Sequence, residues 1–437
     1  MDGFIDNQGN FGADGIVGPH HEKEGSFYTI KQLWSPVQIM NTSVDKQFDG
    51  KFSVENRYDF LNLNTCRFLW KQVKFPTATD ASNTTAQVLK QGETQGSDVA
   101  AHSAGVLNIK TTILPDADAL FLTAIDRYGH ELWRWTFPVN KLNQANEVLS
   151  PLSNKVTSTE TENELTVKAK NHTFIFSKKD GQLKGVSVNN RKISFANGPR
   201  FIGARRADRS LDQFYNHDDE KAKEKDRTYS EFPDAAVFTK LDVKEDGGNL
   251  IVTADYKLGN LDKVQWTINP NGEAVLDYTY NFSGVVDLMG ICFDYPEDQV
   301  ISKRWLGAGP YRVWQNRIHG TQYDVWENDY NDPIPGETFT YPEFKGYFGS
   351  VSWMNIRTKE GTISLTNETP DAYIGVYQPR DGRDRLLYTL PESGISVLNV
   401  IPPVRNKVNS TDLCGPSSQP KWVNGPQSGR IIFRFME

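Results

Sequence analysis

Aromatic residues make up 12% of the chain, and the rings with the most evident chemistry lie in and just after residues 305–321 (WLGAGPYRVWQNRIHGT). Trp305, Tyr311 and Trp314 lie within this stretch, and Trp326 follows shortly after. The negative face of an aromatic ring attracts the C–H groups of a sugar, so these four rings are candidates for a carbohydrate-binding surface. Packing in a hydrophobic core is the alternative role of each ring.

Polar residues near the end of the same stretch indicate a second kind of chemistry. Arg317, His319 and Tyr323 are residue types with which a polysaccharide lyase or epimerase could hold an acidic sugar and transfer a proton. The glycine- and proline-rich sequence before them favours a loop-shaping role instead. Both interpretations stay open at this level.

Metal-binding and nucleophilic residues show no strong pattern. His20 and His21 precede Glu22, but adjacent histidines rarely converge on one ion, and their place before a predicted helix indicates capping or surface roles. The three cysteines are far apart and lack metal-ligand spacing: Cys66, Cys292 and Cys414. This pattern predicts neither a disulfide framework nor a zinc site. No histidine lies near Cys414 in the sequence, so we do not interpret it as a nucleophile.

Composition restricts the class of protein that carries these residues. The 437 residues have a net charge of −7, which argues against nucleic acid as the main partner. Hydrophobic residues make up 38% and charged residues 24%, values typical of a globular domain. No run of about 18 apolar residues occurs, so the sequence predicts no membrane-spanning helix. The first twelve residues do not resemble a signal peptide, and the localisation stays undetermined.

One helix is expected at the start of the chain. Phe27, Ile30 and Trp34 fall on one helical stripe after the turn-like Gly18-Pro19 pair, and Pro36 predicts its end. The rest of the chain predicts strands. Residues 37–140 have the size and strand count of an immunoglobulin-like sandwich. Residues 141–164 have the composition of a linker, and residues 165–437 are predicted to form a large second β domain.

The stretch at residues 305–321 resembles the W-x-G-x-G-P…Y…R…G signature in the C-terminal domain of family 2 glycoside hydrolases, the β-galactosidase-like enzymes. Other segments resemble that family in the same order along the chain. They are residues 54–63 with Trp70, 174–181 followed by Leu183, 198–208, and 341–346 with Trp353. The resemblance implies a mainly β fold, in which an immunoglobulin-like sandwich precedes a large two-sheet, galactose mutarotase-like β-sandwich.

The start of the chain resembles the end of the family's catalytic (β/α)₈ barrel. Residues 11–16, Pro19 and residues 28–34 are similar to its last strand-loop and last helix, so residues 1–36 are expected to be a barrel remnant. An apolar stripe on that helix should then be exposed, because its barrel neighbours are expected to be absent. The resemblance also places both catalytic glutamates of a retaining glycosidase on earlier barrel strands, upstream of this chain.

The resemblance assigns a few residues to the sugar pocket. Phe11 and Asp14 match the last barrel loop, which lines the pocket and a cation site. The family has an amide at the position of Asp14. This difference leaves open whether a cation binds there and whether galactose is the preferred sugar. The alternative role of Asp14 is that of a turn residue. Cys414 stands where the family has a sugar-stacking tryptophan, and Trp422 could supply that ring. With Trp314 and Trp326, these residues form the expected substrate-binding set.

Taken together, the sequence predicts the C-terminal accessory portion of a β-galactosidase-like retaining exo-β-glycosidase. Its expected roles are to bind a β-linked carbohydrate, such as a galactoside, and to complete the sugar pocket together with the missing catalytic barrel in cis. The chain is not expected to be catalytic by itself or to need a cofactor of its own. A stand-alone carbohydrate-binding protein and a lyase or epimerase on the mutarotase-like fold are the alternatives. Oligomeric state is left open.

Overall fold

The computed structural model describes residues 16–17, 21, 23, 25–80, 85–139, 155–206, 229–232, 234–329, 346–376, 391, 393–403 and 415–437. Strands dominate these residues, as the sequence predicts. One α-helix is described, α1 (Gly25–Leu33), and within the described residues no helix has the length and apolarity to cross a bilayer. The protein is therefore mainly β.

A small sandwich follows α1. Its strands are β1 (Val37–Ile39), β2 (Lys51–Asn56), β3 (Arg67–Lys74), β4 (Gln87–Gln95), β5 (Ser103–Asn108), β6 (Ala119–Ile125) and β7 (Glu131–Pro138). One sheet has the order β1-β2-β5 and the other the order β4-β3-β6-β7. Apolar residues alternate along β2 and β3 and meet between the sheets in one core, which includes Phe52, Phe68 and Phe137. The predicted immunoglobulin-like sandwich is confirmed in its size and in its two packed sheets.

The large sandwich contains the remaining strands. In chain order they are β8 (Thr157–Glu160), β9 (Glu164–Ala169), β10 (His172–Ser177), β11 (Leu183–Val188), β12 (Arg191–Ile193), β13 (Ala196–Arg206), β14 (Tyr229–Glu231), β15 (Val237–Asp246), β16 (Asn249–Lys257), β17 (Leu261–Ile268), β18 (Ala274–Asn281), β19 (Gly284–Val286), β20 (Leu288–Asp294), β21 (Val300–Gly309), β22 (Gln322–Asp329), β23 (Trp353–Thr358), β24 (Gly361–Asn367), β25 (Tyr373–Val376), β26 (Ile395–Val400), β27 (Lys421–Val423) and β28 (Pro426–Met436).

Two large sheets and a small one organise these strands. A ten-stranded sheet runs β25-β26-β20-β13-β11-β10-β9-β8, with β12 on β11 and β14 on β13. A nine-stranded sheet runs β15-β16-β17-β18-β28-β24-β23-β21-β22, and β19 pairs with β27 separately. The main core lies between the two large sheets and includes the fully buried side chains of Phe176, Phe195 and Trp266.

Strand β20 shows why one face of the ten-stranded sheet is also covered. In a sheet with one solvated face, buried and exposed residues alternate along each strand. In β20, however, six successive residues, the run LMGICF, are all buried. The second layer over this face comes from Val313, Trp314 and Tyr347, which pack on Leu288 and Cys292. The sheet is therefore buried on both faces at this point.

One segment differs from the sequence expectation, and another cannot be compared with it. Thr157–Glu160, inside the predicted linker, forms strand β8 at the edge of the ten-stranded sheet, with all four residues exposed. A fully exposed edge strand needs no apolar residues, so its polar composition resembles that of a linker. The dense charge run at residues 217–227 lies outside the described residues.

Candidate functional site: a clasp that joins the helix to the large sandwich

Strand β21 carries the first half of the aromatic stretch into the core. The Trp305 ring is fully buried, lies edge-on to Phe348 with the ring centroids 4.9 Å apart, and donates from Nε1 to the carbonyl oxygen of Ala308 at 2.9 Å. Trp326 on the neighbouring strand packs against Gly309, where a Cβ would stand only 2.4 Å from its ring. Glycine is required at this position because the indole occupies the space of a side chain. Trp305 therefore takes its alternative role of core packing.

Residues 310–320, which we call the clasp, bind helix α1. The Tyr311 hydroxyl donates to the carbonyl oxygen of Lys23 at 2.8 Å. The Thr29 hydroxyl donates to the carbonyl oxygen of His319 at 2.9 Å, and the backbone N–H of Gly320 donates to Gln32 Oε1 at 2.6 Å. These contacts join residues almost 300 positions apart and fix the helix on the large sandwich.

The other side of the clasp binds the segment that carries Trp422. Gln315 Nε2 donates to the carbonyl oxygens of Ser417 and Gln419, at 2.9 and 2.7 Å. Asn316 Nδ2 donates to Ser418 Oγ at 2.8 Å. Sequence reasoning missed this pair of amides, because the Gln-Asn dipeptide carries no signal of the distant backbone that it binds. Through the clasp, α1 and the Trp422 segment belong to one connected structure.

Trp314 lies in the interior. Its side chain is only 2% exposed, and its ring meets Tyr347 edge-on with the centroids 5.5 Å apart. This position corrects the expectation of a surface ring, because the clasp folds Trp314 down onto the ten-stranded sheet to form the second layer over that face. In this structure Trp314 presents no ring face to a ligand.

Trp422 and Trp326 have different surroundings. Trp422 is 72% exposed on β27, opposite the partly exposed Val285 of β19. Trp326 is half-buried against the main core, and its Nε1 donates to the carbonyl oxygen of Gln322 at 3.0 Å. Of the three tryptophans in the expected substrate-binding set, Trp422 alone offers most of its ring to the solvent.

Helix α1 has an exposed apolar face. None of its residues is buried, Leu33 is 48% exposed, and Trp34, directly after the helix, is 78% exposed. Phe27 and Ile30 of the predicted stripe are only partly buried. The expected exposure of the stripe is therefore observed at Trp34 and not at Phe27 or Ile30.

The three residues of the lyase alternative lie in different environments. The Tyr323 hydroxyl is hydrogen-bonded to Ser352 Oγ at 2.6 Å and its ring lies edge-on to Phe75, which is in the small sandwich. Burial raises the pKa of Tyr323 above its ordinary value, which makes it a poor general base. His319 is exposed on the clasp beside α1, and Arg317 is in the same turn. The structure thus holds Tyr323 in a domain interface and His319 on the surface.

Cysteine and metal chemistry find no support among the described residues. Cys66 and Cys292 are buried free thiols, and burial raises the pKa of Cys292 to about 11, which keeps it protonated. Within the described ranges, no group of three His, Cys, Asp or Glu side chains is arranged to hold a metal ion. Several residues singled out in the sequence, Glu22 and Pro19 among them, lie outside the described residues, and four of these were candidates for chemistry. They are Phe11, Asp14, His20 and Cys414.

The strand pairings define the class of this molecule: a mainly β protein built from two sandwiches, with a clasped helix at its start. Within that class, the chain belongs to the β-galactosidase small chain family, whose profile matches residues 168–400. The resemblance to β-galactosidase-like family 2 glycoside hydrolases is thereby confirmed.

One curated relative agrees with this assignment. The chain is 23% identical over 399 residues to a β-galactosidase of Priestia megaterium (strain DSM 319 / IMG 1521), a match that covers 84% of this chain and 35% of that protein. It therefore spans about a third of the length of this curated relative. Among solved structures, galactose 1-epimerase from Lactobacillus acidophilus NCFM is similar over 65% of this chain and 99% of that one, at 10% identity and a TM-score of 0.34.

Proposed function

We propose that this chain is the C-terminal accessory portion of a β-galactosidase-like retaining exo-β-glycosidase, and that it completes a sugar pocket whose catalytic carboxylates belong to a barrel in the same parent protein. Family membership supports this role, as does the greater length of the β-galactosidase relative. In the proposal, the barrel supplies the acid/base and the nucleophile, which a retaining enzyme holds about 5–5.5 Å apart.

The clasped helix is the observation that carries the proposal. Two hydrogen bonds fix α1 to the clasp, a third joins the clasp to Lys23 just before the helix, and Lys31 Nζ contacts Glu131 Oε1 of β7 at 2.9 Å. A helix this well anchored nevertheless leaves Leu33 and Trp34 exposed. An exposed apolar face on a fixed element is typical of an interaction site, and we propose that the barrel packs there.

The proposed sugar contact is the ring of Trp422. It stands beside the segment bound by Gln315 and Asn316, on the strand that follows position 414, where the family has its stacking tryptophan. Phe11 and Asp14 stay proposed pocket residues from the barrel loop, and so does a cation beside Asp14. Trp326, half-buried on β22, stays a proposed substrate-binding residue, whereas the buried Trp314 is left out of the proposed contact.

Immunoprecipitation tests the proposal. An antibody against the large sandwich should recover, from cells that make this protein, a polypeptide well above 49.4 kDa that hydrolyses nitrophenyl β-galactoside. The purified 437-residue chain is the matched control and should be inactive on the same substrate. A precipitate without β-glycosidase activity, or hydrolysis by the purified chain, would contradict the accessory role.

A stand-alone carbohydrate-binding protein is the second candidate, and the exposed ring of Trp422 favours it. It predicts a 49.4 kDa band in the same immunoprecipitate and glycan binding by the chain alone. Binding should then fall in Trp422→Ala and persist in Trp34→Ala, because Trp34 is an equally exposed indole on another element.

A further inference from the structure

A cleft on the outer face of the nine-stranded sheet lies outside the region described above. It has a volume of about 410 Å³, within the range of small-ligand sites, and it is lined by side chains of β17, β18 and β28 and by the connection after β24. Its lining contains Lys263, Gln265, Asp277, Thr279 and Arg430. Nothing in the clasp or the Trp422 segment contributes to this lining.

Strand register explains how the cleft is built. Lys263 pairs with Thr279, and Thr279 pairs with Ser428, so these three residues form one row across the sheet. Thr279 and Ser428 are short, and we interpret them as the floor. Glu368 and Pro370, from the connection that follows β24, stand on one side of it. The depression therefore follows from short side chains in register beside a loop.

The second row supplies oriented polar groups. Gln265 pairs with Asp277, and Asp277 pairs with Arg430. Arg430 Nη1 donates to both carboxylate oxygens of Asp277 at 2.9 Å, and its Nε lies 3.0 Å from Glu368 Oε2. Arg430 is thus held between two carboxylates, with Nη1 shared by both oxygens of Asp277 and Nε turned towards Glu368, so the cleft contains donors and acceptors side by side.

The charges indicate the chemical class of ligand. Lys263 and Arg430 contribute two positive charges, and Asp277 and Glu368 contribute two negative ones. Because Arg430 is already bound by two carboxylates, a phosphate or carboxylate ligand would have to displace them. Hydroxyl groups, in contrast, can donate to the carboxylates and accept from Gln265 or Lys263 without breaking the pair. We propose that this cleft binds a neutral, hydroxyl-rich ligand of one or two sugar rings.

The proposal goes beyond the accessory role, because it places a second sugar site on the large sandwich. Isothermal titration or saturation-transfer NMR on the purified chain tests it, with methyl β-galactoside, methyl β-glucoside and lactose as neutral probes and glucose 6-phosphate as the anionic one. The neutral probes should bind, and Thr279→Tyr, which raises the floor, should weaken their binding at least about tenfold. Gln265→Ala should weaken it by roughly three- to tenfold, the loss of one or two hydrogen bonds.

Thr166→Tyr is the matched control, since it makes the same change on an outward-facing position of β9 in the other large sheet, away from the cleft lining, and should leave binding unchanged. Failure of every neutral probe to bind, equal binding in Thr279→Tyr, or clearly tighter binding of glucose 6-phosphate would each overturn the proposal. Trp422→Ala separates the two sugar sites. If binding is lost in Trp422→Ala and kept in Thr279→Tyr, sugar recognition belongs to the proposed pocket and the cleft proposal is wrong.

Discussion

At the scale of single residues, Trp314 and Trp422 show how one residue type serves two purposes. Both were candidate sugar-binding rings in the sequence, and composition alone does not distinguish them. Trp314 is 2% exposed and Trp422 is 72% exposed, because the clasp folds inward over a sheet while β27 lies on the surface. Exposure of a ring depends on tertiary contacts that a local sequence window does not contain.

Replacing Trp314 by alanine should lower the free energy of unfolding by about 3–5 kcal/mol, the cost of a cavity left by a large buried ring. Trp422→Ala should change it by less than about 0.5 kcal/mol, because little of its surface is buried in this chain. Urea denaturation followed by circular dichroism measures both. Equal destabilisation by the two variants would show that Trp422 packs more tightly than described.

His172 connects the two large sheets and responds to pH. Its Nε2 lies 2.8 Å from the carbonyl oxygen of Phe435, which requires the proton on that nitrogen, and its ring stacks on Phe174. Burial, together with the nearby charge of Lys170, lowers the pKa of His172 below its ordinary 6.5. The folded protein therefore holds this imidazole neutral.

The sign of the pH effect follows from this lowered pKa. The unfolded chain takes up a proton at about pH 6.5 and the folded chain only at lower pH, so the contribution of His172 to stability is complete above pH 6.5 and is lost as the pH falls below it. In denaturation series from pH 7.5 to pH 5.5, His172→Gln should show a flatter decline than the natural chain. Thr173→Ser is the control, because this neighbouring residue of β10 carries no titratable group and should leave the slope unchanged. An unchanged slope in His172→Gln would contradict the assignment.

At the scale of elements, alternating apolar residues were a reliable guide to strands. The sequence predicts a strand at His172–Ser177, and the structure has β10 at the same bounds. A second alternating run, at residues 273–282, also predicts a strand, and the structure has β18 there, Ala274–Asn281. Strand β8 was missed and the clasp was not foreseen, because one is an exposed polar edge and the other is shaped by contacts with α1 and residues 417–419.

Helix α1 offers a test at this scale. Much of the surface of Leu33 and Trp34 is exposed, so the free energy of unfolding of the double variant Leu33→Ser/Trp34→Ser should be within about 1 kcal/mol of that of the natural chain. The double variant should also bind less of a hydrophobic dye. Calorimetry and dye fluorescence measure the two effects. If the free energy of unfolding fell by several kcal/mol instead, the two side chains would already have a packing partner within this chain.

At the scale of the whole molecule, the two sandwiches share an interface. Phe75 and Phe121 of the small sandwich cluster with Leu306 and Trp353 of the large one. Trp353 Nε1 donates to the carbonyl oxygen of Pro76 at 3.0 Å. The sequence indicated two β domains, but it carried no signal of which faces meet, since interface residues look like ordinary core residues.

Polar contacts at this interface should couple the unfolding of the sandwiches. Arg134 Nη2 contacts Asp324 Oδ2 at 2.9 Å, and Asn355 Nδ2 donates to the carbonyl oxygen of Ala78 at 2.8 Å. In the double variant Arg134→Ala/Asn355→Ala, the free energy of unfolding should fall by roughly 1–3 kcal/mol. Calorimetry should then show two unfolding transitions instead of one. Arg67→Ala, which breaks an exposed pair with Glu93 within the small sandwich, should not separate them. A single transition in the double variant would show that the apolar cluster alone couples the sandwiches.

The nine-stranded sheet ends at β15, which pairs only with β16 among the described strands. An open strand edge is a template onto which a second chain can add its own strand, and repeated addition leads to fibrils. In β15, Lys240, Asp242 and Lys244 occur at every second position, and Lys240 is paired with Asp242 and Asp255. Stacking copies of this strand would bring like charges close together, so the edge discourages polymerisation of the protein.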